Sequence, residues 1–200
     1  MTQWFSQFDY PGLGGWLDLP THALDGAERA AQEVADREGE RMHEYAEAVY
    51  PELKVIWEGM RERRAAPVVV YVPPVPLSTR PLVPVSAYVQ ARKCLPEERT
   101  VEAITELVSS LQPDRFGEAE ITAVTLPAGP ACRVQEVLMN DAGDDERRFM
   151  IEHIDYYVLP PECPEGMFKF SVTWSSFALG PDMTDTTDVM AASLRIEKRG

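Results

Sequence analysis

Apolar residues recur every three or four positions over residues 24–64, which is the spacing of one face of an α-helix. The run is interrupted at Glu38 and Gly39 and meets Pro51, so the pattern predicts a long helix or a helix pair. Its many alanines and charges suit packing along a flat partner. The apolar positions are Leu24, Ala27, Ala31, Val34, Met42, Tyr45, Val49, Leu53, Ile56, Trp57 and Met60.

Further along, the pattern predicts strands and a second helix. Valine-rich runs predict strands over residues 68–72 and 83–92, with a proline-rich connection between them. A helix with an apolar stripe that begins at Val101 is predicted between Pro96 and Pro113.

The apolar period changes to two after residue 118. Four consecutive strands are predicted over 119–126, 131–139, 147–159 and 167–179, followed by a short helix and a last strand at 194–198. In the fourth strand apolar and polar residues alternate, which is typical of an antiparallel sheet with one covered face. The apolar positions there are Phe168, Phe170, Val172 and Trp174.

This order of elements predicts an α+β fold, an antiparallel β-meander sheet flanked by helices and preceded by the long N-terminal helix or helix pair. Three segments are expected: an aromatic N-terminal arm (1–23), a helical segment (24–64) and an α+β sandwich domain (65–200).

The second half of the chain carries a resemblance. The stretches "ITAVTLPAGPACRVQEVL" and "IEHIDYYVLPPECPEGMFKFSVTWSSFALGPDMTDTTDVMAASLRI" resemble small actinobacterial proteins in which a strand, an "LPAGPA" turn and three more strands lead into a helix and a terminal "SLR" strand. The order is also similar to the Mog1/PsbP/LpqN-like fold. The resemblance spans about residues 97–197 and implies a binding or accessory protein with no catalytic residues to carry over.

The first twenty residues hold an unusual concentration of aromatic side chains. The segment is broken by Pro11 and by three glycines, so it cannot bury its own rings. The rings must cover this chain's own sheet and helix or a neighbouring molecule, and clustered aromatic residues are typical interface anchors. The candidate partner-binding residues are Trp4, Phe5, Phe8, Tyr10 and Trp16.

Composition and charge exclude several classes of partner. A formal net charge of −14 argues against nucleic acid and against anionic membrane surfaces, because both are bound through clustered Lys and Arg. The sequence shows neither a signal peptide nor an apolar run of membrane-spanning length, so a cytoplasmic protein is expected. The three cysteines form no metal-binding pattern, and no cofactor is expected.

Two fragments carry candidate chemistry. Glu40 and His43 have the Glu-x-x-His spacing of di-iron bundles, although an exposed charged helix face explains them better. His153 and Asp155 lie two apart on one strand face, as an acid–base pair or as a partly buried histidine tied to a carboxylate. Neither fragment has the surrounding motif of an active site, so no catalytic residue and no metal ligand is predicted.

These observations favour a non-enzymatic, acidic interaction or structural component of an assembly, which docks onto another protein or a second copy through the aromatic arm and the long helix. The alternative is a small-ligand-binding domain with an apolar pocket between sheet and helices. The candidate pocket residues are Tyr156, Phe168, Phe170, Trp174 and Met190.

Overall fold

The computed structural model describes residues 3–11, 14–95, 99–110, 114–141, 148–175 and 179–199. Within these ranges the chain forms four helices and nine strands, and every strand pairing with a defined register is antiparallel. The α+β class expected from the sequence is confirmed. Pro96 and Pro113, expected to bound the second helix, lie outside the described residues.

The chain divides into two compact units, residues 10–90 and residues 1–9 together with 91–200. The units begin and end at other residues than the three segments expected from the sequence. In the described ranges, no helix combines the length and the apolar character that crossing a membrane requires.

The unit of residues 10–90 packs two helices on three strands. Its elements are β2 (Trp16–Asp18), α1 (Gly26–Ala35), α2 (Met42–Glu62), β3 (Val68–Tyr71) and the beginning of β4 (Val85–Lys93). The strands pair in the order β2-β3-β4, and Val70 stands between Leu17 and Ser86. The predicted apolar stripe forms the core with Val68 and Val70 of β3, except that Leu24 is 76% exposed because it precedes α1.

The proline-rich connection of this unit is tied to α2 by one carboxylate. Glu52 Oε2 accepts hydrogen bonds from the backbone N–H groups of Leu82 and Val83, at 2.8 and 3.0 Å, and Oε1 pairs with Arg80. Residues between β3 and β4 therefore have a fixed path although prolines prevent regular pairing.

The other unit contains the meander. Its elements are β1 (Gln3–Gln7), α3 (Val101–Ser110), β5 (Glu120–Leu126), β6 (Gly129–Asp141), β7 (Arg148–Val158), β8 (Gly166–Trp174), α4 (Gly180–Ala192) and β9 (Arg195–Arg199). Strands β8-β7-β6-β5 are neighbours in that order, and β1 pairs with β9 in a separate ribbon. The sequence did not predict β1 or β2, which are short and lie in the aromatic arm.

Both faces of the meander are covered, so the expectation of a single covered face is wrong. Helix α4 packs on β7 and β8, and α3 packs on β5 and β6. The register places Tyr156 opposite Phe170 on the face toward α4, whereas Asp155 stands opposite Ser171 on the face toward α3. Asp155 and Ser171 are both buried, and Asp155 Oδ2 meets Lys169 and His153 there instead of water.

Candidate functional site

The first three aromatic residues of the arm are divided between the inside and the outside of their unit. Trp4 contacts the ring of Phe168 at 6.3 Å between centroids, and Phe8 contacts Phe170 at 4.9 Å. Phe5 lies between them in β1, points the opposite way and is 45% exposed. In this unit the arm therefore covers its own sheet and leaves one ring at the surface.

Tyr10 and Trp16 belong to the other unit. Their rings are 6.0 Å apart, and Trp16 packs on Tyr71 at 5.6 Å. The Tyr10 hydroxyl donates to Asp18 Oδ1 at 3.4 Å. Partial burial, followed by the Asp18 charge, raises the pKa of Tyr10. Four of the five arm aromatics thus pack on rings of their own unit, and whether any of the five also meets a partner stays a prediction.

Four of the five candidate pocket residues lie on the face toward α4, Met190 lies in α4 itself, and all five are buried. Tyr156 and Phe170 have ring centroids 6.2 Å apart, and Trp4 and Phe8 of the arm pack on the phenylalanines of the same cluster. In this packed arrangement the residues behave as core. A ligand pocket at this place stays a prediction.

Polar groups are built into the same face beside α4. Arg133 Nε lies 3.2 Å from the Tyr156 hydroxyl and 3.1 Å from Asp188 Oδ1, and the hydroxyl itself donates to Asp188 at 2.5 Å. Burial, and then the Asp188 carboxylate, raise the pKa of Tyr156. The phenol is therefore a hydrogen-bond donor that fixes α4 on the sheet.

A second polar chain on this face runs along the strands. Glu152 accepts hydrogen bonds from Gln135 Nε2 and from Trp174 Nε1, both at 3.0 Å. The indole of Trp174 is otherwise fully buried, so its N–H needs this acceptor.

The face toward α3 holds a buried ionic cluster. His153 Nε2 lies 3.0 Å from Glu136 Oε1 and 3.6 Å from Asp155 Oδ2. Glu136 also receives Arg115 Nε at 2.5 Å, and Asp155 receives Lys169 Nζ at 2.6 Å. We call this group of five residues the ionic cluster: Arg115, Glu136, His153, Asp155 and Lys169. Apart from His153, the two cations of the cluster balance its two carboxylates.

The chemistry of the ionic cluster follows from which atoms meet. Both carboxylates approach the same ring nitrogen, and an ionised carboxylate only accepts hydrogen bonds, so Nε2 of His153 carries the proton. An acid–base dyad that serves a nucleophile uses opposite ring nitrogens for the carboxylate and the nucleophile. The alternative of a buried histidine tied to a carboxylate is what this geometry supports.

Hydrogen bonds within the cluster set the ionisation of Glu136. Burial alone raises the pKa of this carboxyl, but hydrogen bonds from His153 and Arg115, together with their charges, outweigh burial and lower it. Asp155 is 2% exposed, and its Oδ1 atom lacks a hydrogen-bond partner among the described residues. Glu136, Arg115 and Lys169 were not singled out from the sequence, because their partners come from other strands.

The Glu-x-x-His fragment is not a helical pair. Gly39 has φ +140° and Arg41 has φ +68°, so the chain turns and α2 begins only at Met42. Glu40 therefore precedes the helix that carries His43, and both side chains are exposed. Within the described residues no three or more His, Cys, Asp or Glu side chains are grouped to hold a metal ion.

Two surface features have the composition of contact sites. On α2 the Arg61 guanidinium lies 5.0 Å from the centroid of the Trp57 ring, and Trp57 Nε1 donates to the Pro20 carbonyl.

In the meander, β5 ends the strand order in the described part of the chain. A two-residue turn, Pro127 and Ala128, joins β5 to β6.

No protein-family model and no curated protein matches this chain. Among solved structures, it is similar to the one described as the crystal structure of LpqN involved in cell envelope biogenesis of Mycobacterium tuberculosis. The TM-score is 0.49 at 11% sequence identity, over 98% of this chain and 84% of that one. The similarity is weak and lies at the level of the fold.

Proposed function

We propose that this protein is a non-enzymatic interaction component of a protein assembly. The observation that carries the proposal is the pair Trp57 and Arg61 on the long helix α2, where the Arg61 guanidinium lies 5.0 Å from the centroid of the Trp57 ring. Tryptophan and arginine are the residues most enriched among interface hot spots, and the ring here is only partly buried. Leu24 is exposed two residues before Gly26, the backbone of which lies directly against Trp57.

The surroundings of the potentially reactive side chains also support a non-enzymatic role. His153 was the best acid–base candidate, and its reactive nitrogen is shared by two buried carboxylates. Burial raises the pKa of the Cys132 thiol, which is fully enclosed, so this sulfur is poorly nucleophilic. These groups serve the stability of the fold.

The arm contributes to docking through Phe5, which is 45% exposed. Phe5 is the most exposed of the five arm aromatics, and Trp4 and Phe8 hold β1 in place through their contacts with β8. We also propose that the meander with α4 and β9 has the Mog1/PsbP-like arrangement, on the basis of its order of elements.

The native mass of the protein tests this function. A tagged full-length chain, purified gently from its own cells, is expected in a particle heavier than its own 22.4 kDa. The double variant Trp57→Ala/Arg61→Ala should release the partner at unchanged expression. Val55→Ala, at an exposed position on the same helix, is the matched control and should retain it. A 22.4 kDa monomer from cells would overturn the proposal.

A further inference from the structure

We infer that the outer edge of β5 is a docking site for the β5 strand of a second copy of this chain, so that two meanders join into one continuous sheet. The inference goes beyond the proposed function, because it adds a second contact surface, on the meander, and names the partner that occupies it.

The backbone of β5 offers hydrogen-bonding groups to a neighbour. The two-residue turn makes Leu126 and Gly129 a hydrogen-bonded pair, and bonded and non-bonded positions alternate from there along the ladder. The N–H and C=O groups of Ile121, Ala123 and Thr125 therefore point away from β6. In the described part of the chain no strand pairs with this edge.

The side chains of β5 lack the usual protection of an edge. Natural edge strands are blunted by charges, prolines or bulges, because an open edge invites pairing with another chain. The sequence EITAVTL has a single charge, Glu120, at its first position and no proline. Such a charge-poor strand is unexpected on the edge of a protein with net charge −14.

The strand is complementary to itself. An antiparallel pairing about a two-fold axis at Ala123 places Ala123 opposite its copy and Ile121 opposite Thr125, and each of these pairs exchanges two hydrogen bonds. Thr122 then faces Val124, a favourable pair of β-branched residues. Glu120 faces Leu126, so no like charges meet. This self-complementarity favours a second copy over an unrelated peptide.

The edge continues beyond β5 with apolar surface. The Phe116 N–H donates to the Val137 carbonyl at 2.8 Å, so this residue follows β6 on the same edge, and its side chain is 57% exposed. Phe116 thereby adds contact area beside the paired strands.

Oligomeric state tests the inference. By sedimentation equilibrium at micromolar concentrations, the purified full-length chain is expected to have twice its 22.4 kDa mass. Ala123→Lys places two lysines directly opposite each other at the axis and should give a folded monomer. Val189→Lys makes the same charge change at an exposed site of α4 and should remain dimeric.

A disulfide test fixes the register. Paired residues of a hydrogen-bonded position lie about 5.5 Å apart between Cα atoms, within disulfide reach. Ala123→Cys should therefore form a covalent dimer on mild oxidation, whereas Val189→Cys and the unmodified chain should not. Absence of the covalent dimer would overturn the register.

The two proposals fail differently. A monomeric purified chain overturns pairing through β5, while a heavier native particle that survives Ala123→Lys still supports the interaction function. A native particle lost in Ala123→Lys, from a chain that is monomeric alone, would show that another protein occupies the edge and would overturn the second-copy inference. A dimer that withstands Ala123→Lys overturns it as well.

Discussion

Nε2 of His153 lies 3.0 Å from Oε1 of Glu136, directly across the pairing of β6 and β7. Removing this carboxylate leaves Arg115 and His153 without their shared acceptor inside the fold. We expect Glu136→Ala to lower the free energy of unfolding by about 3 kcal/mol, as for other broken buried pairs. Urea unfolding of the parent and of the variant measures this difference in free energy. Glu44→Ala, in an exposed pair with Arg41, should change stability by less than about 1 kcal/mol. Equal effects of both substitutions would contradict the role of the ionic cluster.

Acidification should weaken the protein through the same residue. The pKa of Glu136 is lowered in the folded state, so its contribution to stability is present above the ordinary glutamate pKa of about 4.3 and is lost as the pH falls through the lower folded value. The difference in unfolding free energy between the parent and Glu136→Gln should therefore shrink below about pH 4.3. A difference that stays constant from pH 7 to pH 3 would refute this linkage.

High pH should lower the stability of the protein through Tyr157, which lies beside Asp155 of the ionic cluster. Burial, followed by the Asp155 charge, raises the pKa of Tyr157 to about 12. The unfolded phenol ionises near pH 10, so stability is complete below that pH and falls as the pH rises toward the folded value. Tyr157→Phe should lose less stability than the parent protein between pH 9 and pH 11. Unfolding followed by the absorbance of tyrosinate measures the stability of the parent and of the variant. If the two proteins lose stability identically with rising pH, Tyr157 has no such role.

The arm offers a matched pair of aromatic truncations. Phe8 is 8% exposed and packs on the ring of Phe170, so Phe8→Ala should lower the free energy of unfolding by about 3–5 kcal/mol. Phe5 is 45% exposed, and Phe5→Ala should change the melting temperature little while weakening partner binding. Thermal unfolding and native mass separate the two roles. A large loss of stability in Phe5→Ala would assign that ring to the core.

Substitution by alanine should change the stability of the protein in opposite directions at two glycines. Gly129 has φ +138°, and a Cβ atom there would lie 2.6 Å from the Leu159 carbonyl oxygen. Gly59 lies inside α2 and has open space around its Cβ position. We expect Gly129→Ala to destabilise the protein and Gly59→Ala to stabilise it by about 0.5–1 kcal/mol. Two shifts of the same sign would contradict the backbone geometry.

The spacing of apolar residues predicted most elements of the meander, because every second side chain of a strand lies on the same face of the sheet. The alternation of Phe168, Phe170, Val172 and Trp174 along β8 identified their shared face correctly. The strands β1 and β2 escaped prediction, since three to five residues do not establish a period.

The candidate sites were harder to predict than the elements. His153 and Asp155 were recognised because they lie on one strand, but Glu136, Arg115 and Lys169 reach them only through strand pairing. A single sequence shows no register, so it could not indicate that a polar face would be buried by its own ion pairs. Phe5 and Phe8 likewise looked equivalent until the pleat of β1 separated them.

The pairing of β1 with β9 has a consequence for biosynthesis. Gln3 stands opposite Arg199, so β1 gains its partner strand only after β9 has been synthesised. Residues 10–90 form a continuous unit and have all their own contacts as soon as they emerge. Trp4 and Phe8 have no surface to cover until β8, which carries Phe168 and Phe170, has been synthesised, so the nascent chain exposes both rings to chaperones at the exit tunnel.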